Sequence, residues 1–189
     1  MKNVGKRFEE DFKKSVPPSS LFIRLNDAPQ VFNKSNLTKF TKRNPCDFIL
    51  FDCLHRVLIP IELKTTKYKS MGFDDINSDE EQNKMIHKHQ IVGLTEFSKH
   101  NCVTPGFLLN FRDEKNNCER CYFQRIDDFN AMVENIDKKS FNELDLLTFG
   151  NAIKLQGELK RTRYRWDISQ MLDDIYNKFY VFNRMAMSQ

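Results

Sequence analysis

Two short stretches of this 189-residue chain put carboxylates and a lysine where they can act together. Residues 46–53 (CDFILFDC) and 57–64 (VLIPIELK) read as strands, and the short gap between them implies a hairpin. Side chains alternate along a strand. Val57, Ile59, Ile61 and Leu63 therefore share one face, and Leu58, Pro60, Glu62 and Lys64 share the other. A two-residue turn at Leu54-His55 pairs Cys53 with Arg56 and sets Asp47 opposite Glu62, with Cβ atoms about 5 Å apart. Two carboxylates that close repel unless a cation lies between them. Carboxylate oxygens suit Mg²⁺, and a lysine beside them can orient or deprotonate a water. Such a set performs metal-assisted phosphodiester hydrolysis.

The triplet alone is weak. An acidic residue, any residue and a lysine occur in that order at several places, Asp11, Glu62, Asp113 and Asp137 among them, and of these four only the Glu62 copy falls on a strand paired with an Asp-bearing strand. Taken by itself the pattern fits a metal site or a cross-strand ion pair at a solvated strand end.

The elements around this hairpin follow from periodicity. Phe8, Phe12 and Val16 make an apolar stripe on a helix over 5–16, ended by Pro17-Pro18. Residues 21–25 read as a short strand and 26–45 as a long basic loop. After the hairpin come a polar loop at 65–82 and a helix at 84–99 with Ile86, Gln90, Leu94 and Phe97 on one face. Strands at 104–111 and 120–126 flank a turn, and a short helix covers 127–134. Ser140-Phe141-Asn142-Glu143 matches a capping box opening a helix that Gly150 closes. Asp167 caps a last helix with Ile168, Met171, Leu172, Ile175, Tyr176 and Phe179 on one stripe. The expected class is α/β or α+β, a central mixed sheet flanked by helices in one domain over 1–189, with a basic, helical C-terminal segment at 151–189.

Composition narrows the setting. With 40% hydrophobic and 30% charged residues the chain can bury a core, which excludes wholesale disorder. Residues 1–7 lack the apolar stretch of a signal peptide, and no apolar run approaches the roughly 20 residues that span a bilayer. An intracellular, cytoplasmic protein with no membrane contact is expected, its five cysteines reduced. Cys118 and Cys121 form a lone pair without the second pair of ligands that a structural zinc would need, and read as ordinary strand cysteines. His87 and His89, two apart on a helix, do not share a face. The net charge of +4 is concentrated. Residues 33–43 and 154–165 together carry +8, leaving the rest of the chain at −4, as a phosphate-tracking surface requires.

Several segments then match in order. Asn44-Pro45-Cys46-Asp47-Phe48, Ile61-Glu62-Leu63-Lys64-Thr65 and His89-Gln90-Ile91 resemble the PD-(D/E)XK nuclease superfamily. Within it the chain looks like the RecU-type Holliday junction resolvases and their shorter relatives, the penicillin-binding-protein-related factor A group. The opening helix Gly5 to Phe12 and the stretches 106–111 and 164–168 extend the likeness over residues 5–176.

The resemblance implies a restriction-endonuclease-like core and a Mg²⁺-dependent nuclease, with Mn²⁺ as a substitute. Asp47, Glu62 and the carbonyl of Leu63 would hold the metal. Lys64 would position the attacking water, Glu9 or in its place Glu10 would complete the cluster, and Gln90 would reach in from the second helix. The implied partners are branched DNA, a second copy in a homodimer, and a recombinase.

Candidate DNA contacts are Phe32, Lys34, Lys39, Phe40, Lys42 and Arg43 in the loop, Lys67 and Lys69 after the site strand, and Lys160, Arg161, Arg163 and Arg165 near the C-terminus. The rivals are another repair or restriction-type endonuclease and a non-catalytic DNA-binding accessory. Three departures stand out. Cys46 is inserted between Pro45 and Asp47, Pro60 calls for a bulge or unpaired position in its strand, and only about 20 residues fill the place of the family's long stalk.

Overall fold

A computed structural model describes residues 3–25, 44–78, 82 and 84–181. Strands β1 (Ser20–Arg24), β2 (Phe48–Asp52) and β3 (Val57–Thr66) pair antiparallel in sequence. β4 (Ser70–Gly72) leaves this sheet, and α2 (Lys88–Ser98) returns the chain to β5 (Gly106–Asp113), which runs parallel to β3. β6 (Cys118–Arg125) follows by a hairpin. After α3 (Ile126–Asn135), β7 (Ser140–Asn142) pairs with β4, and α4 (Glu143–Thr148) leads to β8 (Ile153–Leu155) on β6. A hairpin of β9 (Gly157–Lys160) and β10 (Arg163–Trp166) precedes α5 (Ile168–Tyr176), which runs into a π turn at Asn177–Val181. Among the described residues the main sheet has the order β1-β2-β3-β5-β6-β8. It is the expected α/β arrangement, a mixed sheet with helices on both faces.

The two faces follow from strand alternation. Phe48, Leu50, Ile59, Ile61 and Leu63 bury one face with Phe8 and Phe12 of α1 (Val4–Lys13) and with Ile168, Met171 and Ile175 of α5. Phe22 of the edge strand stacks on Phe48 at 4.8 Å. Phe107, Leu109, Phe111 and Tyr122 bury the other face with Ile91 and Leu94 of α2 and Phe129 and Met132 of α3. β3 is buried on both faces from Ile59 to Leu63, which is why it reads there as a nearly continuous apolar run.

The β2–β3 register matches the expected one: Asp52 lies opposite Val57 and Phe48 opposite Ile61. Pro60 needs no bulge and sits opposite Ile49 in an unbroken ladder. The N–H and C=O of Leu58 both point away from β2, toward Cys102 and Thr104. Alternation turns the nitrogen of Pro60 the same way, so the missing donor is not taken from β2.

Other boundaries differ from the sequence reading. α2 begins at Lys88 because Ile86 is bridged to Phe73 and His87 is extended (φ −90°, ψ 148°). Within the expected loop 65–82, β4 forms because β7 is there to pair with it. The helix cap expected at Ser140 falls on Asn142, whose side chain accepts from the Asp145 N–H at 3.0 Å, while Ser140 to Asn142 are strand. The C-terminal segment 151–189, expected to be helical, is corrected over its first part: residues 153–166 form three short strands, β8 to β10, because β8 pairs with β6 and β9 with β10, and helix begins only at Ile168.

One buried charge ties the C-terminal hairpin to α1. Asp11 is 1% exposed. It accepts from Arg163 Nε at 2.6 Å and lies 3.6 Å from Arg165 Nη1 and 3.9 Å from Arg7 Nε. Arg163 also reaches Glu10 at 2.9 Å and the Arg7 carbonyl at 3.2 Å, and the Trp166 N–H donates to Ser15 Oγ at 3.0 Å. Removing one partner of a buried pair leaves charge unpaired. Asp11→Ala is therefore expected to lower unfolding stability by on the order of 3 kcal/mol in urea titration. A loss below about 1 kcal/mol would mean that the pair behaves as a solvated surface bridge.

Candidate active site

Asp47 stands one residue before β2 begins, and the register carried one step back from Phe48 sets it beside Glu62. Its backbone carbonyl accepts from the Leu25 N–H at 2.8 Å, and its Oδ2 accepts from the Leu63 N–H at 2.9 Å. The carboxylate is thus fixed by the strand that carries Glu62. In a strand the N–H and C=O of one residue project to the same side, so the Leu63 carbonyl lies on the Asp47 side.

Glu62 is buried, 4% exposed. Its Oε1 lies 2.9 Å from Lys64 Nζ and accepts from Gln90 Nε2. The other end of that amide is fixed too, because Gln90 Oε1 accepts from the His87 N–H at 3.0 Å. The first turn of α2 therefore turns the NH₂ toward Glu62. Asp74, itself buried, accepts from the Lys88 N–H at 3.1 Å and holds this turn in place. Burial pushes the Glu62 carboxyl up to about 7; Lys64 opposes the shift and the charge of Asp47 adds to it. The inserted Cys46 is buried beneath the pair. Its thiol is raised to about 12 by burial, then by Glu62 and Asp47, so it stays protonated and acts as neutral packing.

Glu9 lies close enough for Asp47 to affect it. Its carboxyl is raised by burial, with Arg24 opposing and Asp47 adding. The carboxylate itself is engaged by Arg24 Nη2 at 2.9 Å. Glu10 turns the other way, to Arg163. The oxygens placed to hold a cation are those of Asp47 and Glu62. Among the described residues no group of three or more His, Cys, Asp and Glu converges.

The DNA-contact candidates divide. Phe32, Lys34, Lys39, Phe40, Lys42 and Arg43 lie outside the described residues. Lys67 and Lys69 are exposed directly beyond β3. Lys160 pairs with Glu158 at 3.2 Å, and Arg161 takes the left-handed conformation (φ 58°) in the β9–β10 turn. Arg163 and Arg165 lie 2.6 Å and 3.6 Å from the buried Asp11 carboxylate, so both also serve as ties within the fold. The histidine reading changes as well. His87 precedes α2 instead of lying on it, so its ring stacks on His89 at 5.6 Å.

Sequence reasoning missed His87 and Gly93. The role of His87 is carried by its backbone and leaves no trace in residue type. Gly93 does leave one, as a glycine inside an apolar helix. A Cβ there would come within 2.5 Å of the Pro45 Cβ, so α2 approaches the Asp47 segment closely only because position 93 is glycine. Among the described residues all five cysteines are free, Cys118 exposed and Cys121 buried on β6.

Gly93→Ala is expected to lower stability by about 1–3 kcal/mol and to shift Asp47, read as a lower urea midpoint. An unchanged midpoint would show that Pro45 can move away. A second expectation concerns Glu62. In metal-free buffer the folded chain keeps a proton on Glu62 that the unfolded chain releases near 4.5. Its contribution to stability is therefore full below about 4.5 and is lost as pH rises to about 7. The stability of wild type relative to Glu62→Gln should fall across that window. A pH-independent difference would assign the titration to another group.

No family model matches the chain. Its backbone is similar to that of Hjc, a Holliday junction resolvase from the archaeal hyperthermophile Archaeoglobus fulgidus, at a TM-score of 0.44 and 17% identity, over 79% of this chain and 95% of that one. In sequence it is 35% identical over 188 residues to the SPbeta prophage-derived uncharacterized protein YotM of Bacillus subtilis, covering 93% of this chain and 88% of that one. With that identity along nearly its whole length, the chain belongs to the same family as YotM.

Proposed function

We propose that the protein is a Mg²⁺-dependent endonuclease of the PD-(D/E)XK type, related to the RecU-type resolvases, that cuts branched DNA at four-way junctions. The observation that carries this reading is the juxtaposition on adjacent strands of Asp47 and Glu62, with Lys64 Nζ 2.9 Å from Glu62. The raised Glu62 carboxyl marks a place where a second negative charge is disfavoured until a cation arrives. Mg²⁺ commonly binds through one or two carboxylates and keeps several waters, which this donor set fits. Mn²⁺ has the same preference for oxygen.

When bound, the ion would supply Lewis-acid stabilisation of the phosphoryl oxygens and a more acidic water. The residues of the chain do the rest. Asp47, fixed by the Leu63 N–H, and Glu62, fixed by Gln90, present their oxygens in one place. Lys64 is free to turn from Glu62 toward the scissile phosphate or the attacking water once the carboxylate charge is met elsewhere. A junction has two strands to cut at symmetric positions, and a two-fold homodimer would present two such sites. A recombinase that makes junctions is the natural functional partner.

A second reading, a non-catalytic DNA-binding accessory, draws support from one observation. Glu9 is engaged by Arg24, and two carboxylates rather than three face each other among the described residues. Nicking of a synthetic four-way junction separates the two. Wild type is expected to cleave with Mg²⁺ and not with EDTA. Asp47→Asn and Glu62→Gln should each lower the rate at least a hundredfold while junction binding survives. Cleavage near the wild-type rate in either variant would refute the site assignment, and no cleavage by wild type would favour the accessory reading.

A further inference from the structure

The face of the sheet that carries Glu62 and Lys64 continues past the site into a cleft. Thr66 follows Lys64 on the same face of β3, about 7 Å on, and lies beside Phe111 of β5. Beyond them the chain opens into a cleft of about 710 Å³ between the Lys67–Lys69 segment, the β5–β6 turn and the start of α4. Phe111 lines its wall.

Two features of the lining point to a ligand. The first is charge. Two of the three acidic groups of the cleft are paired with arginines, Glu143 taking two hydrogen bonds from Arg120 at 2.7 Å and Glu114 one from Arg112 at 2.5 Å, while Asp113 is held by the neutral Asn116 amide at 2.8 Å and keeps its charge against three lysines. Lys67, Lys69 and Lys115 make no ion pair among the described residues, so the cleft presents uncompensated positive charge. The second is Tyr68. It is 67% exposed, its backbone is fixed by a hydrogen bond to Thr66 Oγ1 at 3.0 Å, and no ring stacks on it among the described residues. Lys67 Nζ lies 5.6 Å from its centroid. An exposed aromatic ring between cations is the arrangement that binds a single strand, the base on the ring and the phosphates on the lysines.

The geometry points to this cleft as the site for an unpaired nucleotide next to the scissile phosphate, with its base on Tyr68 and the adjoining phosphates on Lys69 and Lys115. This rests on the endonuclease reading and deepens it. A cleft of about 710 Å³ has the size of a small-ligand pocket and not of a duplex, so the base must leave its stack to enter. A flapped substrate supplies such a base at its branch point, a four-way junction interrupts stacking there so that a base leaves the helix at lower cost, and continuous duplex does neither. Selectivity for branched DNA would then be set just beyond the end of the strand that carries Lys64.

The test is binding by fluorescence anisotropy in EDTA, in an Asp47→Asn background. The probes are a duplex with a short single-stranded flap and the same duplex without it. Tyr68→Ala is expected to weaken flap binding about tenfold, about 1.4 kcal/mol, and to change duplex binding less than twofold. Tyr68→Phe should restore the flap preference. Lys69→Ala with Lys115→Ala should flatten the salt dependence on the flap by about 1.4 units. Equal losses on both probes, or no loss on either, would overturn the proposal. Because metal is chelated, the result is independent of cleavage. Junction cutting by wild type with unchanged binding by Tyr68→Ala refutes the cleft alone. Loss of flap preference without any cleavage by wild type retains the cleft and refutes the nuclease.

Discussion

The antiparallel register of β2 on β3 is the constraint on which the site depends. Side chains alternate with a period of two, so a slip of one residue would send Asp47 and Glu62 to opposite faces. The register is pinned twice over. Val57, Ile59 and Ile61 must meet Leu50 and Phe48 on the face covered by α1, and the Leu63 N–H is taken by the Asp47 carboxylate itself. The functional carboxylate therefore also closes the strand pair that aligns it.

Around that pair the fold holds charge in an unfavourable place and compensates it locally. Glu62 is removed from water and set near a second carboxylate, which raises its affinity for a proton. Lys64, on the same strand, offsets part of this, and Gln90 donates to the carboxylate from a helix whose first turn is held by Asp74 and whose approach is permitted by Gly93. Buried polar groups of this kind persist when every member has a partner. The same principle acts at the far side of α1, where Asp11 draws Arg163 and Arg165 inward.

That second cluster changes how the basic composition is read. Counting charges along the chain cannot separate an arginine that faces solvent from one that neutralises a buried aspartate 152 residues away in sequence. The cations that stay uncompensated among the described residues include Lys67, Lys69 and Lys115, on the β3 and β5 ends next to the site.

The sequence by itself determined the local features: the Phe8–Phe12 stripe, the two site strands and their register, the last helix with its Asp167 cap, and the three residues Asp47, Glu62 and Lys64. Each rests on period, turn length or capping, which act over a few residues. Tertiary structure decided what depends on a distant partner. Ser70 to Gly72 is a strand because Ser140 to Asn142 lies alongside it, which also moved the expected cap from Ser140 to Asn142. Residues 153–166 became strands through β6 and their own hairpin. Glu9 was legible as a residue near the sheet, but its engagement by Arg24 was not, since the pair is formed by packing α1 across the edge strand. Nor was the turning inward of Arg163, because the attraction of a buried carboxylate is felt only once folding has removed the water around it.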